Sequence, residues 1–146
     1  MSAPVTIRIQ SVDFDIAAEI AALTKHSTDI GAVVSFSGIC RGGVGNEAIA
    51  AMTLEHYPGM VEAEISRHVT EATSRWPLNG VTVIHRYGRV VPGDNIVLVL
   101  TASVHREVAF QAAEVVAVVP DQLRWQNSMR CSKKQRSLPI CFRSLA

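Results

Sequence analysis

Val99-Leu-Thr-Ala-Ser-Val-His-Arg-Glu-Val-Ala-Phe-Gln-Ala-Ala-Glu114 is the stretch that decides how this chain folds. An apolar run, Ile96 to Leu100, passes through small polar residues to His105-Arg106, and a helical pattern begins at once. The pattern predicts a central strand over 95–104 and a helix over about 106–119. Val108, Ala112, Val115, Val116 and Val119 would form the inner face of that helix. The junction thus places an imidazole and a fixed cation together at a helix start. Helix starts carry unpaired N–H groups and a partial positive charge, which suit an anionic ligand. The Arg106 guanidinium adds a planar fork for phosphate or carboxylate. A plainer reading, that His105 and Arg106 only close a surface loop, stands beside it.

Working outward, Val81 to Gly88 reads as a strand and Val90-Val-Pro-Gly-Asp94 as a turn. Pro58 suits the first turn of a helix that carries Val61, Ile65, Val69 and Trp76 on one side, with His68 on a mostly polar surface. Val5 to Gln10 alternates as a first strand, and Asp13 and Asp15 offer N-caps for a helix bearing Ile16, Ile20 and Leu23. Ile30 to Gly38 reads as a buried strand, Ile39 to Glu47 as a glycine-rich loop, and Ala48 to His56 as another strand. Those segments predict a hairpin over 30–56. The order β-α-β-β-α-β-β-α predicts an α+β sandwich with a mixed or antiparallel sheet, not a doubly wound parallel one.

The chain has 146 residues, 48% apolar and 18% charged, enough for a core that needs no disulfides. No apolar run is long enough for a membrane span, and the start lacks a signal-peptide core. Cys40, Cys131 and Cys141 are odd in number and fit a reducing, cytoplasmic setting. Charge is divided unevenly. Residues 1–121 hold eight Lys/Arg and all thirteen acids, whereas 122–146 hold six Lys/Arg and no acid. A domain over 1–120 and a basic tail over 121–146 are the expected division.

Motifs narrow the chemistry. Arg41-Gly-Gly-Val-Gly45 could form an anion nest but lacks the Gly-Lys-Ser/Thr of a P-loop and the setting of a dinucleotide fingerprint. The histidines at 26, 56, 68, 85 and 105 include no HxxxH or HExxH pair, which argues against zinc. No metal and no cofactor are expected. No Gly-x-Ser-x-Gly elbow is present. Cys40, beside Arg41, would be either a thiol of lowered pKa or a small packed residue. The residues alone support a small α+β domain with an anion site built from Arg41, His105 and Arg106.

Five blocks carry a resemblance: Leu54-Glu-His-Tyr-Pro-Gly-Met60, Arg75-Trp-Pro-Leu78, Val83-Ile-His-Arg-Tyr-Gly88, Pro92-Gly-Asp94 and Ser103-Val-His-Arg106 with Ala109-Phe110. In that order, over roughly 5–117, the chain resembles the large, catalytic subunit of molybdopterin synthase. The resemblance implies an α/β-hammerhead-like fold and a sulfurtransferase of molybdenum-cofactor biosynthesis. That family converts cyclic pyranopterin monophosphate to molybdopterin, taking sulfur from the C-terminal thiocarboxylate of a small ubiquitin-like subunit. Two large subunits form a homodimer within a heterotetramer. It implies that Arg41, in Gly38-Ile-Cys-Arg41, binds the phosphate or pterin edge, with Ile39 and Cys40 beside it. It also implies that His105 and Arg106 complete the pocket, that His105 exchanges a proton during thiol addition, and that Phe36 walls the site.

The resemblance ends after the last helix. The family continues with a Tyr-Leu-Lys and then an Ala-Pro-Phe-Trp-Lys segment, whose lysines line the active site. Without gaps those positions fall here on Asp121 and Ser128. A three-residue shift offers Arg124, which keeps the charge but does not readily give up a proton. Lys133 or Lys134 could substitute only through an insertion. Pro120 predicts an end to the helix there. The alternatives are a catalytically dead homologue or frameshifted product that still dimerises and binds anions, and, more remotely, a nucleic-acid binder using the basic tail.

Overall fold

The hydrophobic periods resolve into twelve elements in a computed structural model that describes residues 3–44, 47, 48, 50–125, 129 and 130. They are β1 (Val5–Gln10), α1 (Ile16–Thr24), β2 (Ala32–Ile39), β3 (Gly43–Val44), β4 (Glu47–Ala48) and β5 (Met52–Leu54). They continue with α2 (Met60–Arg75), β6 (Gly80–Arg86), β7 (Gly88–Val90), β8 (Asn95–Ser103), α3 (Arg106–Trp125) and β9 (Met129–Arg130). The main sheet has the order β1-β6-β8-β2, with β1 and β6 parallel and the other pairs antiparallel. The fold is the α+β class with a mixed sheet.

β8 has a long unbroken apolar run because it is covered on both faces. Val97 and Val99, with Val81 and Val83 of β6, pack under Ile65, Val69 and Ala72 of α2 and Ala112 and Val116 of α3. On the other face Leu98, Leu100 and Ala102, with Ile84, meet Phe14 and Leu23 from the α1 side. Asp15 caps α1, its carboxylate accepting from the Ala18 N–H at 3.1 Å.

Asp13, also expected as a cap, has a different role. Its Oδ1 accepts from Phe14 N–H at 2.8 Å and from the Asn95 amide at 3.0 Å. Buried Arg86 lies 3.7 Å away and donates to the carbonyls of Asn95 and Ser11, so the cluster ties the end of β1 to the start of β8. The Asn95 amide first, then the Phe14 N–H and the charge of Arg86, hold the Asp13 carboxyl below its ordinary range, against a smaller opposing pull from desolvation. A depressed carboxyl contributes stability above its unfolded pKa of about 4 and loses it as pH falls through the lower folded value. Asp13→Asn should therefore flatten part of the acid limb below about pH 4 in urea midpoints measured against pH, by only a few tenths of a kcal/mol because this side chain is exposed.

Four expectations change. β2 does not form a hairpin with the strand after the glycine loop. It pairs with β8 along its whole length, while β5 pairs with β7 and β9 in a separate sheet, and β3 and β4 form a ribbon inside the loop. Only β8 is long enough to satisfy eight residues of β2 backbone, since β5 has three. His68 is not on a polar surface. It is 6% exposed, in the stripe of Ile65 and Ala72, and its Nε2 lies 2.9 Å from Arg67 and 3.3 Å from Glu64. α3 turns Ala109, Ala112, Ala113 and Val116 inward, because small alanines let it sit close on the sheet. It also continues through Pro120 to Trp125, although proline has no N–H to offer the Val116 carbonyl.

Candidate functional site

The site begins where β8 leaves the sheet. His105 caps α3 through its carbonyl, which accepts from the Ala109 N–H at 3.2 Å, and Arg106 is the first helical residue. Both side chains are exposed, at a helix start, where the first N–H groups have no partner within the helix. Gly31 sits directly beneath this corner and donates to the Ser103 carbonyl at 3.1 Å. A Cβ on Gly31 would lie 2.2 Å from the Val104 carbonyl oxygen, a backbone atom that can move only with its neighbour His105. Gly31→Ala should therefore cost about 1–3 kcal/mol in urea denaturation and shift the His105 and Arg106 amide resonances.

Arg41 follows β2 at the other end of the sheet. Cys40 N–H donates to the Asp94 carbonyl at 2.9 Å and Gly93 N–H returns a bond to the Cys40 carbonyl at 2.8 Å. The turn that makes this grip is closed by the Asp94 carboxylate, which accepts from Val91 N–H at 2.9 Å, and by Gly93 at φ 93°. Arg41 and Ile39 are exposed, whereas Cys40 is buried. Burial first, and the Asp94 charge second, push the Cys40 thiol up. The reactive-thiol reading is thereby corrected. Cys40 is a packed core residue that fixes where Arg41 emerges.

A single chain does not bring Arg41 to His105 and Arg106. β2 runs antiparallel to β8, with Ile39 opposite Asn95 and Ala32 opposite Ser103. Arg41 therefore leaves at the start of β8 and His105 at its end. At about 3.3 Å per residue the strand between them spans roughly 25–30 Å, beyond the reach of two side chains. Phe36 lies between, opposite Val99. With Phe110, Gln111, Ala113, Glu114 and Ala117 of α3 it lines an open groove of about 350 Å³. The α3 side of this groove escaped sequence reading, although Phe110, 62% exposed, is an apolar residue outside the helix's inner stripe. Lys133 and Lys134 lie outside the described residues. Among the described residues no three His, Cys, Asp or Glu side chains gather as a metal site, and no helix is long and apolar enough to cross a membrane.

Residues 9–117 match the family model described as MoaE protein. The chain belongs to the MoaE family. A molybdopterin synthase catalytic subunit of Mesorhizobium japonicum is 64% identical over 108 residues, which cover 74% of this chain and 67% of that relative. A solved MoaE protein from Burkholderia ambifaria is 44% identical with a TM-score of 0.71, covering 82% of this chain and 76% of its own. A Helicobacter pylori structure titled as the complex of subunits 1 and 2 of molybdopterin-converting factor is 18% identical with a TM-score of 0.60, over 80% of this chain and 75% of that one, and shares the fold. The MoaE match ends at Ala117, where the resemblance of the sequence blocks also ends, and takes in Phe36, Arg41, His105 and Arg106.

Proposed function

We propose that this chain is a molybdopterin synthase catalytic subunit, a sulfurtransferase that converts cyclic pyranopterin monophosphate to molybdopterin. The observation that carries the reading is the His105-Arg106 pair at the open N-terminus of α3, within a match to the MoaE family. A substrate with a cyclic phosphate needs a fixed cation and aligned N–H donors, and the corner offers both. Arg106 grips the phosphate, and His105 exchanges a proton as sulfur adds, an imidazole being suited to that near neutral pH. Sulfur comes from the thiocarboxylate of a small ubiquitin-like subunit, a partnership supported by the two-subunit title of the Helicobacter pylori neighbour. The setting is the cytoplasm.

The separation along β8 bears on the assembly. One pocket containing Arg41, His105 and Arg106 requires two copies, with Arg41 of one protomer facing His105 and Arg106 of its partner. A two-fold axis makes two such pockets at once. β2 is the edge of the main sheet, and its exposed Phe36 and Ile39, with Phe110 on α3, give that contact an apolar face. This homodimer is the centre of the proposed heterotetramer.

A second reading rests on the departure after Ala117. There the chain binds precursor and partner but has lost the family's lysines, residues 1–120 acting as the binding domain and 121–146 as a divergent tail. Single-turnover conversion separates the two readings. The purified chain is mixed with a thiocarboxylated small subunit and cyclic pyranopterin monophosphate. Molybdopterin formed at a useful rate supports the enzyme, with Lys133, Lys134 or another group supplying the amine. Bound precursor without product supports the inactive homologue.

A further inference from the structure

We infer that Thr101 and Ser103 are positioning residues that set the place of His105 and Arg106, an assignment that rests on the anion site proposed above. β8 sends alternate side chains toward α2 and α3: Val97, Val99, Thr101 and Ser103. The first two are apolar filling. The last two are 0% and 1% exposed and carry hydroxyls, which burial penalises unless they are bonded.

Both are bonded to the elements that flank the corner. Thr101 Oγ1 donates to the Ala109 carbonyl at 2.7 Å, in the first turn of α3. That carbonyl already has a helical donor four residues on, so the hydroxyl is not needed to satisfy it. Its effect is to fix the height and rotation of the first turn over β8. Ser103 Oγ donates to the Pro77 carbonyl at 3.1 Å and lies 3.5 Å from the His105 N–H. The same 77–79 loop is held again where Asn79 N–H donates to the Ala102 carbonyl at 2.7 Å.

Val104, His105 and Arg106 therefore hang between two tethers, Ser103 before them and Ala109 after them. His105 and Arg106 are exposed. Backbone position is what aims them, and the two hydroxyls set it. A displacement of about 1 Å at such a corner is enough to lose most of a bidentate grip.

The test measures the affinity of the full chain for cyclic pyranopterin monophosphate by calorimetry, beside thermal melting. Thr101→Val keeps the volume and removes only the hydroxyl. It should weaken binding about tenfold, while Thr101→Ser, which keeps the hydroxyl, stays within about twofold of the parent. Ser103→Ala should also weaken binding, and it carries the test if Thr101→Val does not fold. Equal losses in Thr101→Val, which keeps the methyl, and Thr101→Ser, which keeps the hydroxyl, would assign the effect to packing at this position and overturn the inference. Parental affinity in Thr101→Val and Ser103→Ala, with weakened binding in Arg106→Ala, would overturn it while sparing the site. Parental affinity in Arg106→Ala as well would remove the anion site, and the inference with it.

Discussion

Arg106→Ala lowers the affinity for cyclic pyranopterin monophosphate by about 10- to 100-fold, since a charge-assisted bond contributes about 1.5–3 kcal/mol and each 1.4 kcal/mol is a factor of ten. The fold should survive, because Arg106 is exposed at a helix start. Arg106→Lys should fall between, retaining charge but losing the planar fork. Arg41→Ala should cause a loss of the same order, for Arg41 is likewise exposed and its place is set by Cys40 and the 91–94 turn. Calorimetry on the full chain measures each. Unchanged affinity in both alanine variants would sink the site.

Leu98→Ala carries the largest expected effect on stability. Leu98 is fully buried in the middle of β8, between β6 and β2, facing Phe14 and Leu23. Its truncation removes apolar burial and leaves a cavity that a strand bonded on both sides cannot collapse, so the loss should be about 2–5 kcal/mol in urea denaturation. A loss below about 1 kcal/mol at Leu98 would contradict the burial of β8 on both faces.

These two effects arise from the stretch that was most legible in the sequence. Ile96 to Leu100 could only be a buried strand or part of a buried helix, and the small residues before His105 marked where the strand gives way to a helix. Pairing was less legible. The run at 30–38 reads as a strand on its own, but nothing local says that it pairs with a strand some sixty residues later and not with its neighbour after the glycine-rich loop. His68 was misplaced because residue type outweighed position: it shares the stripe of Ile65 and Ala72, and its ring is accommodated by Arg67 and Glu64. The candidate site divides in the same way. Arg41 and the His105-Arg106 pair were each visible as chemistry, but their separation depends on the antiparallel register of β2 on β8, which no motif records. Phe110 could have been noticed as an apolar residue off the inner stripe, and Thr101 as a hydroxyl in a core position. No motif marks Thr101, and Phe110 enters only as part of the block that carries His105-Arg106.

Mixing the Arg41→Ala and Arg106→Ala variants tests most directly whether the site is built across two protomers. Each is purified alone, then the two are combined in equal amounts under conditions that exchange subunits, and conversion of cyclic pyranopterin monophosphate is measured with a thiocarboxylated small subunit, or precursor binding if no product forms. A pocket shared between protomers leaves one intact site in every mixed dimer, so the mixture should recover roughly a quarter of the parental signal from two nearly silent variants. A mixture as silent as its components, with exchange shown to be complete, would contradict a shared pocket.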